Sequence, residues 1–226
     1  MNTSHVAFLP IVILISGRGS NLQAIIDRTA AGELPVEIRA VISNRPLAAG
    51  LQLAEKAGLE TRVIDHTGYA DRQAFDQALQ ACIDSYQPGL VVLAGFMRIL
   101  TPGFVDHYRG RMLNIHPSLL PDLPGLNTHQ RALDAGHREV GASVHFVTED
   151  TDGGPVLMQA RVTVREDDTA DSLAARVLEQ EHRLYPQAIH WFADGRIFLD
   201  ENGQIQLDGA LLEQPETLSA GTSAPC

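Results

Sequence analysis

The chain has 226 residues, with 17 Lys and Arg against 28 Asp and Glu, and so a formal net charge of −11 at neutral pH. This length suits one α/β domain with a full core, and the acidic balance excludes a general nucleic-acid surface while leaving room for a few cations around a small anion. The two cysteines, Cys82 and Cys226, suggest neither a disulfide framework nor a cysteine-rich metal site, as expected of a protein in a reducing cytoplasm.

Residues 1–10 lack the charged segment and cleavage site of a signal peptide, and the apolar run Phe8 to Ile15 is too short to span a bilayer. They read as an N-terminal extension. Ile11 to Ile15 is a continuous β-branched and aliphatic run, the pattern of a parallel strand covered on both faces. It ends in Ser16-Gly17-Arg18-Gly19-Ser20-Asn21, followed by an amphipathic helix from Leu22 to Ala31 that Gly32 stops. Strand, glycine loop and helix start together make an anion site, because free backbone N–H groups and the positive end of the helix dipole point at the loop. Leu22 stands where a dinucleotide fingerprint has its third glycine, the strand Val36 to Ser43 ends without an acidic ribose ligand, and no Walker lysine is present. The expected anion is therefore a single phosphate monoester.

The alternation continues. A helix spans Leu47 to Ala57, a strand about Glu60 to Ile64, a helix Tyr69 to about Tyr86, and an apolar strand Leu90 to Ala94 that ends in Gly95-Phe96-Met97-Arg98-Ile99-Leu100. A short helix from Pro102 and a strand from Arg111 to Ile115 follow. Such alternation implies a twisted, mostly parallel sheet whose ligands bind beyond the carboxyl ends of its strands. The segments Gly19 to Asn21, Met97 to Leu100, and Asn114 with His116 then meet in one crevice.

Asn114 and His116 are two apart, so on an extended strand their side chains share a side while Ile115 faces the core. Pro117 disfavours helical geometry at His116 and opens a rigid, proline-rich loop through Gly125. A neutral amide donor and a titratable imidazole facing one cleft supply a hydrogen bond for a developing oxyanion and a proton at the same carbonyl carbon. A helix from Thr128 to Ala135 precedes two strands, Gly141 to Thr148 and Pro155 to Val164, joined by Glu149-Asp150-Thr151-Asp152-Gly153-Gly154. Asp152 is either a turn residue or an acid beside His116 that raises the imidazole pKa, and the residues leave both readings open. The pattern from Thr169 to Ala193 is the longest helix, which Pro186 is expected to kink or interrupt. Its polar cluster of Glu179, Gln180, Glu181 and His182 reads as surface at Glu179 and stays open at Glu181. A hairpin spans Arg196 to Leu207, and the composition from about Glu213 to Cys226 reads as a mobile tail.

Five segments in this order, Ser16-Gly-Arg-Gly-Ser-Asn-Leu-Gln-Ala-Ile, Val92-Leu-Ala-Gly-Phe-Met-Arg-Ile-Leu, Leu113-Asn-Ile-His-Pro-Ser-Leu-Leu-Pro, Ser143-Val-His-Phe-Val and Asp152-Gly-Gly-Pro-Val, closely resemble the phosphoribosylglycinamide formyltransferase family of purine biosynthesis. The resemblance implies a Rossmann-like formyltransferase domain over residues 11–207, with helices on both faces of the sheet; residues 208–226 lie outside it and are expected to be a flexible C-terminal tail. It implies direct transfer of the formyl group of 10-formyltetrahydrofolate to the amine of glycinamide ribonucleotide, without a metal or a covalent nucleophile. Asn114, His116 and Asp152 match the family's catalytic trio: His116 as general acid, Asn114 as oxyanion donor, Asp152 raising the His116 pKa. Gly19, Ser20 and Asn21 match its phosphate loop, and Leu178, Glu179, Gln180 and Glu181 its ribonucleotide segment. Arg72, Met97, Arg98, Ile99, Leu100, Asn114, Thr148, Glu149, Asp150, Thr151 and Asp152 match its folate pocket. Two positions depart from the pattern: Asn127 stands in place of a histidine and Asp122 in place of a common basic residue. The expected partners are small molecules, with neither nucleic acid nor membrane, for a cytoplasmic monomer or weak homodimer. The related methionyl-tRNA formyltransferases and formyltetrahydrofolate deformylases carry further domains for which this length leaves no room.

Overall fold

The computed structural model describes residues 8–218. The chain folds in the order β1 (Leu9–Ile15), α1 (Ser20–Ala30), β2 (Val36–Ser43), α2 (Ala49–Lys56), β3 (Thr61–Val63), α3 (Arg72–Asp84), β4 (Leu90–Leu93), α4 (Pro102–His107) and β5 (Met112–His116). It continues through α5 (Thr128–Asp134), β6 (Glu139–Phe146), β7 (Val156–Thr163), α6 (Ala170–Ala193), β8 (Ile197–Leu199), β9 (Ile205–Leu207), β10 (Ala210–Leu211) and β11 (Glu216–Thr217).

Eight strands form one sheet in the order β11-β7-β6-β5-β4-β1-β2-β3. All neighbours pair parallel except β5 with β6 and β6 with β7, so β6 alone runs against the rest. From β1 the chain builds outward through β2 and β3, then returns to place β4 on the other side of β1. This reversal leaves a crevice at the carboxyl ends of β1 and β4, the expected ligand position in such sheets.

The period-2 alternation of buried strands divides the core into two layers. Ile11, Ile13, Ile15, Leu90, Val92, Leu113 and Ile115 pack with α1, α2, α5 and α6, while Val12, Leu14, Val91, Leu93 and Met112 pack with α3 and α4. Helices therefore cover both faces, as the continuous apolar runs require. The helix α6 lies along the first face, and its fully buried Tyr185 hydroxyl sits 3.0 Å from the Leu93 carbonyl and 2.8 Å from that of Leu113. This tyrosine ties α6 to β4 and β5 just behind the crevice.

Several boundaries differ from the sequence reading. Leu9 and Pro10, assigned to an extension, belong to β1, where the Leu9 N–H donates to Pro35 and the Pro10 carbonyl accepts from Gly89. Residues 1–7 lie outside the described residues. Helix α1 starts at Ser20, two residues before the expected Leu22. Helix α6 runs continuously through Pro186. The proline removes one N–H donor, and a helix of 24 residues whose apolar side is buried on the sheet keeps its course despite that loss. Residues 208–218, assigned to the tail, are instead built into sheets: β10 extends the hairpin β8–β9 into a small three-stranded sheet, and β11 pairs parallel with β7 at the edge of the main sheet. Leu212 and Leu218 pack against the core. Residues 219–226, including Cys226, lie outside the described residues.

Tyr185→Phe leaves two buried carbonyls without their hydroxyl donor. It is expected to lower unfolding free energy by about 1–2 kcal/mol, read as a lower urea midpoint at unchanged m-value.

Candidate active site

The loop after β1 is shaped by two glycines. Gly19 adopts φ 81°, a left-handed conformation that a side chain would strain, and a Cβ there would lie 2.7 Å from the Gly50 Cα. Gly50 in turn donates its N–H to the Gly17 carbonyl at 3.0 Å. The start of α2 therefore buttresses the loop, and the close approach expected of a third loop glycine is supplied by Gly50. The sequence reading missed Gly50, because its partner lies 31 positions away in the chain.

Asn21, in the first turn of α1, donates from Nδ2 to Glu181 Oε2 at 2.6 Å. Both side chains are buried, and burial pushes the Glu181 carboxyl above its ordinary range, opposed by that hydrogen bond. Asn21 Oδ1 is buried without a partner, an acceptor left for something other than the protein. Of the four predicted residues on α6, the structure joins Glu181 to the glycine loop. Leu178 and Gln180 are half-buried, and Glu179 is exposed.

The register of the sheet places the predicted trio around one cleft. On β5, Asn114 and His116 share a side opposite Leu113 and Ile115, and Asn114 lies across from His145 on β6. Asp152 sits in the β6–β7 connection with φ 54°, so it is a turn residue, and its carboxylate reaches back to the strand ends. Its Oδ2 lies 3.4 Å from His116 Nδ1 and accepts the Gly125 N–H at 2.9 Å, while Oδ1 lies 3.8 Å from His145 Nε2. His116 Nε2 lies 3.0 Å from the Leu123 carbonyl, so both ring nitrogens of this buried imidazole face acceptors. Asp152 is thus at once a turn residue and an acid placed beside His116.

His145 is a site residue that sequence reasoning left unassigned. Burial lowers its pKa against the opposing effects of the Phe146 carbonyl and Asp152. A neutral His145 donates from Nδ1 to the Phe146 carbonyl at 3.0 Å and presents a bare Nε2 to Asn114 Nδ2 at 3.1 Å. That contact orients the Asn114 amide, whose second N–H and carbonyl oxygen are left for the cleft. The available signal was one polar residue in a strand otherwise apolar from Val144 to Val147.

The predicted folate residues divide. Met97 and Ile99 stand 59% exposed beside buried Phe96 and Leu100, and the Arg98 guanidinium lies over the Phe75 ring at 5.5 Å. Arg98 Nε and Thr148 Oγ1 are buried without partners. Glu149, Asp150 and Thr151 are exposed around the turn, and Arg72 is exposed at the start of α3. Asn127, one of the two departures, caps α5 at φ 56°, a conformation asparagine tolerates better than most residues. The side chain of Asp122 is exposed. Among the described residues no group of three or more His, Cys, Asp and Glu is placed to hold a metal ion.

A family model described as formyl transferase matches residues 9–189. The phosphoribosylglycinamide formyltransferase of Escherichia coli is 54% identical over 202 residues, covering 89% of this chain and 95% of that protein. The chain belongs to the phosphoribosylglycinamide formyltransferase family. Solved structures of the family share its fold: that from Coxiella burnetii is 52% identical with a TM-score of 0.90, covering 94% of this chain and all of that one. A glycinamide ribonucleotide transformylase from Symbiobacterium toebii is 42% identical with a TM-score of 0.87, covering 92% and 98% of the two chains.

Two outcomes follow for this formyltransferase. His145→Leu removes the acceptor that orients Asn114, and formyl transfer should fall roughly fivefold to tenfold, the rate equivalent of one net hydrogen bond. Glu181 binds its proton more tightly in the folded than in the unfolded chain, so its contribution to stability declines as pH rises from about 4.3, the unfolded value. Urea unfolding at about pH 4 and about pH 8 should show a larger loss across the interval for wild type than for Glu181→Gln.

Proposed function

We propose that this enzyme transfers the formyl group of 10-formyltetrahydrofolate to the amine of glycinamide ribonucleotide, with Asn114, His116 and Asp152 as its catalytic groups. The observation that carries this reading is their convergence: amide, imidazole and carboxylate face one cleft from β5 and the β6–β7 turn, beside the glycine loop. The N–H groups at the start of α1 suit a phosphate monoester. Glu181 and the unpartnered Asn21 Oδ1 suit the donor groups of a ribonucleotide. The folate is a co-substrate, and the residues present suit it. Exposed Met97 and Ile99 offer apolar surface to flat rings, and the buried unpartnered Arg98 Nε and Thr148 Oγ1 offer a donor and a hydroxyl for its polar edges.

In this mechanism the neutral amine attacks the formyl carbon, the new C–N bond forms, and the carbonyl pair moves to oxygen. Asn114 and protonated His116 stabilise that oxyanion by hydrogen bonding. As the bond to the folate nitrogen breaks, His116 delivers a proton to the departing nitrogen. The attacking nitrogen loses one proton as it becomes the amide nitrogen, and His116, left neutral by its delivery, takes up a proton in turn, so the enzyme ends unchanged. Asp152 pairs with the charged imidazole from 3.4 Å and keeps it oriented through its second tie to the Gly125 N–H. The enzyme works on these two small molecules in the cytoplasm, as a monomer or weak homodimer, with neither nucleic acid nor membrane as partner.

Tetrahydrofolate production, followed with and without glycinamide ribonucleotide, tests this reading. Wild type should require the ribonucleotide, His116→Ala and Asn114→Ala should lose ~10²–10³ in turnover, and Asp152→Asn should fall sharply while still folding. Tetrahydrofolate released without the ribonucleotide would assign water as the acceptor. Unaltered turnover in a folded His116→Ala protein would refute the mechanism.

A further inference from the structure

Residues 96–101, between β4 and α4, form neither helix nor strand, so their N–H groups need partners from elsewhere. Buried side chains of two other elements supply partners at the two ends. Ser16 Oγ accepts the Met97 N–H at 2.7 Å, and Asp76 Oδ2 on α3 accepts the Thr101 N–H at 2.6 Å. Ser16 is 3% exposed and Asp76 2%. The Ser16 hydroxyl proton is itself committed to Asn44 Oδ1 at 2.5 Å, beyond the end of β2, so a lone pair of Oγ stays turned to Met97. Along residues 96–100 the side chains alternate, Phe96 and Leu100 into the core and Met97 and Ile99 outward.

Asp76 is a costly residue to keep for stability alone. Its Oδ1 is buried without a partner, and a half-satisfied buried carboxyl works against folding. It stands next to Phe75, whose ring carries the Arg98 guanidinium, so α3 touches the 97–101 segment through two adjacent residues.

We propose that Ser16 and Asp76 are positioning residues for the folate co-substrate. Neither has a side chain exposed enough to touch it. They fix the backbone at both ends of the 97–101 segment, which sets where Met97, Arg98 and Ile99 meet the cleft. This rests on the folate reading above. Asp76 lies on α3, away from the glycine loop, so releasing its anchor weakens folate binding and leaves the ribonucleotide site in place, whereas Ser16 also opens the glycine loop and joins the two sites.

The test uses the full chain and the variants Ser16→Ala, Asp76→Ala and Asp76→Asn, with calorimetric titration of tetrahydrofolate and KM measured separately for each substrate. Ser16→Ala and Asp76→Ala should raise the Kd for tetrahydrofolate and the KM for 10-formyltetrahydrofolate about tenfold, and in Asp76→Ala the ribonucleotide KM should stay within about twofold of wild type. Asp76→Asn keeps an oxygen acceptor for the Thr101 N–H and should restore most of the affinity. Folded variants with wild-type folate affinity, or an Asp76→Ala protein with both substrates weakened alike, overturn the proposal, and if Ser16→Ala fails to fold the Asp76 pair decides it. Wild-type protein that does not bind tetrahydrofolate refutes the folate reading itself, whereas normal wild-type binding with unaffected variants refutes only the positioning role.

Discussion

The register of β5 is the constraint on which the rest of the site depends. This strand is held between parallel β4, where Leu93 lies across from Asn114, and antiparallel β6, where Asn114 lies across from His145. A slip of one residue would turn Asn114 and His116 into the core and expel Leu113 and Ile115. Fully burying an aliphatic side chain is worth about 1.5–3 kcal/mol, and burying an unpaired amide or imidazole costs a comparable amount, so both terms select the same register. The apolar residues Leu113 and Ile115 thus aim the polar ones.

Around that strand the cleft is built from loops held in unfavourable backbone conformations. Leu123, Asn127 and Asp152 all have φ between 54° and 56°. For residues with a Cβ the left-handed region costs about 1–2 kcal/mol each, and such strain gathers where geometry matters more than stability. Two of these positions meet His116 directly: Leu123 through its carbonyl and Asp152 through its carboxylate. Asp152 also takes the Gly125 N–H, so the loop after β5 and the turn after β6 are tied through one side chain.

The fold was legible because its main strands are read by their neighbours on both faces. Ile11 to Ile15 and Leu90 to Leu93 have no polar residue, and only a strand covered by helices on each side accommodates that pattern. The C-terminal segment was not legible, for the converse reason. The strand β11 is two residues, Glu216 and Thr217, with no alternation of its own, and it exists because the edge of β7 offers it unpaired backbone. Composition rich in Pro, Thr and Ser describes the local chain, whereas pairing is decided by a strand some sixty residues earlier.

The site divides along the same line. Residue types and spacing alone determined that Asn114 and His116 share a face, that a glycine loop stands between a strand and a helix start, and that the loop matches neither the dinucleotide nor the Walker pattern. These are consequences of local geometry, within about six residues. Only the tertiary structure decided that Asp152 reaches His116, that Gly50 rather than a loop glycine makes the close approach to Gly19, that Glu181 and not Glu179 meets Asn21, and that a neutral His145 orients Asn114. Each of those contacts spans 31 residues or more. Distance between such residues is set by the order of strands in the sheet and by which face of a helix finds apolar cover, neither of which is written in any short window of the chain.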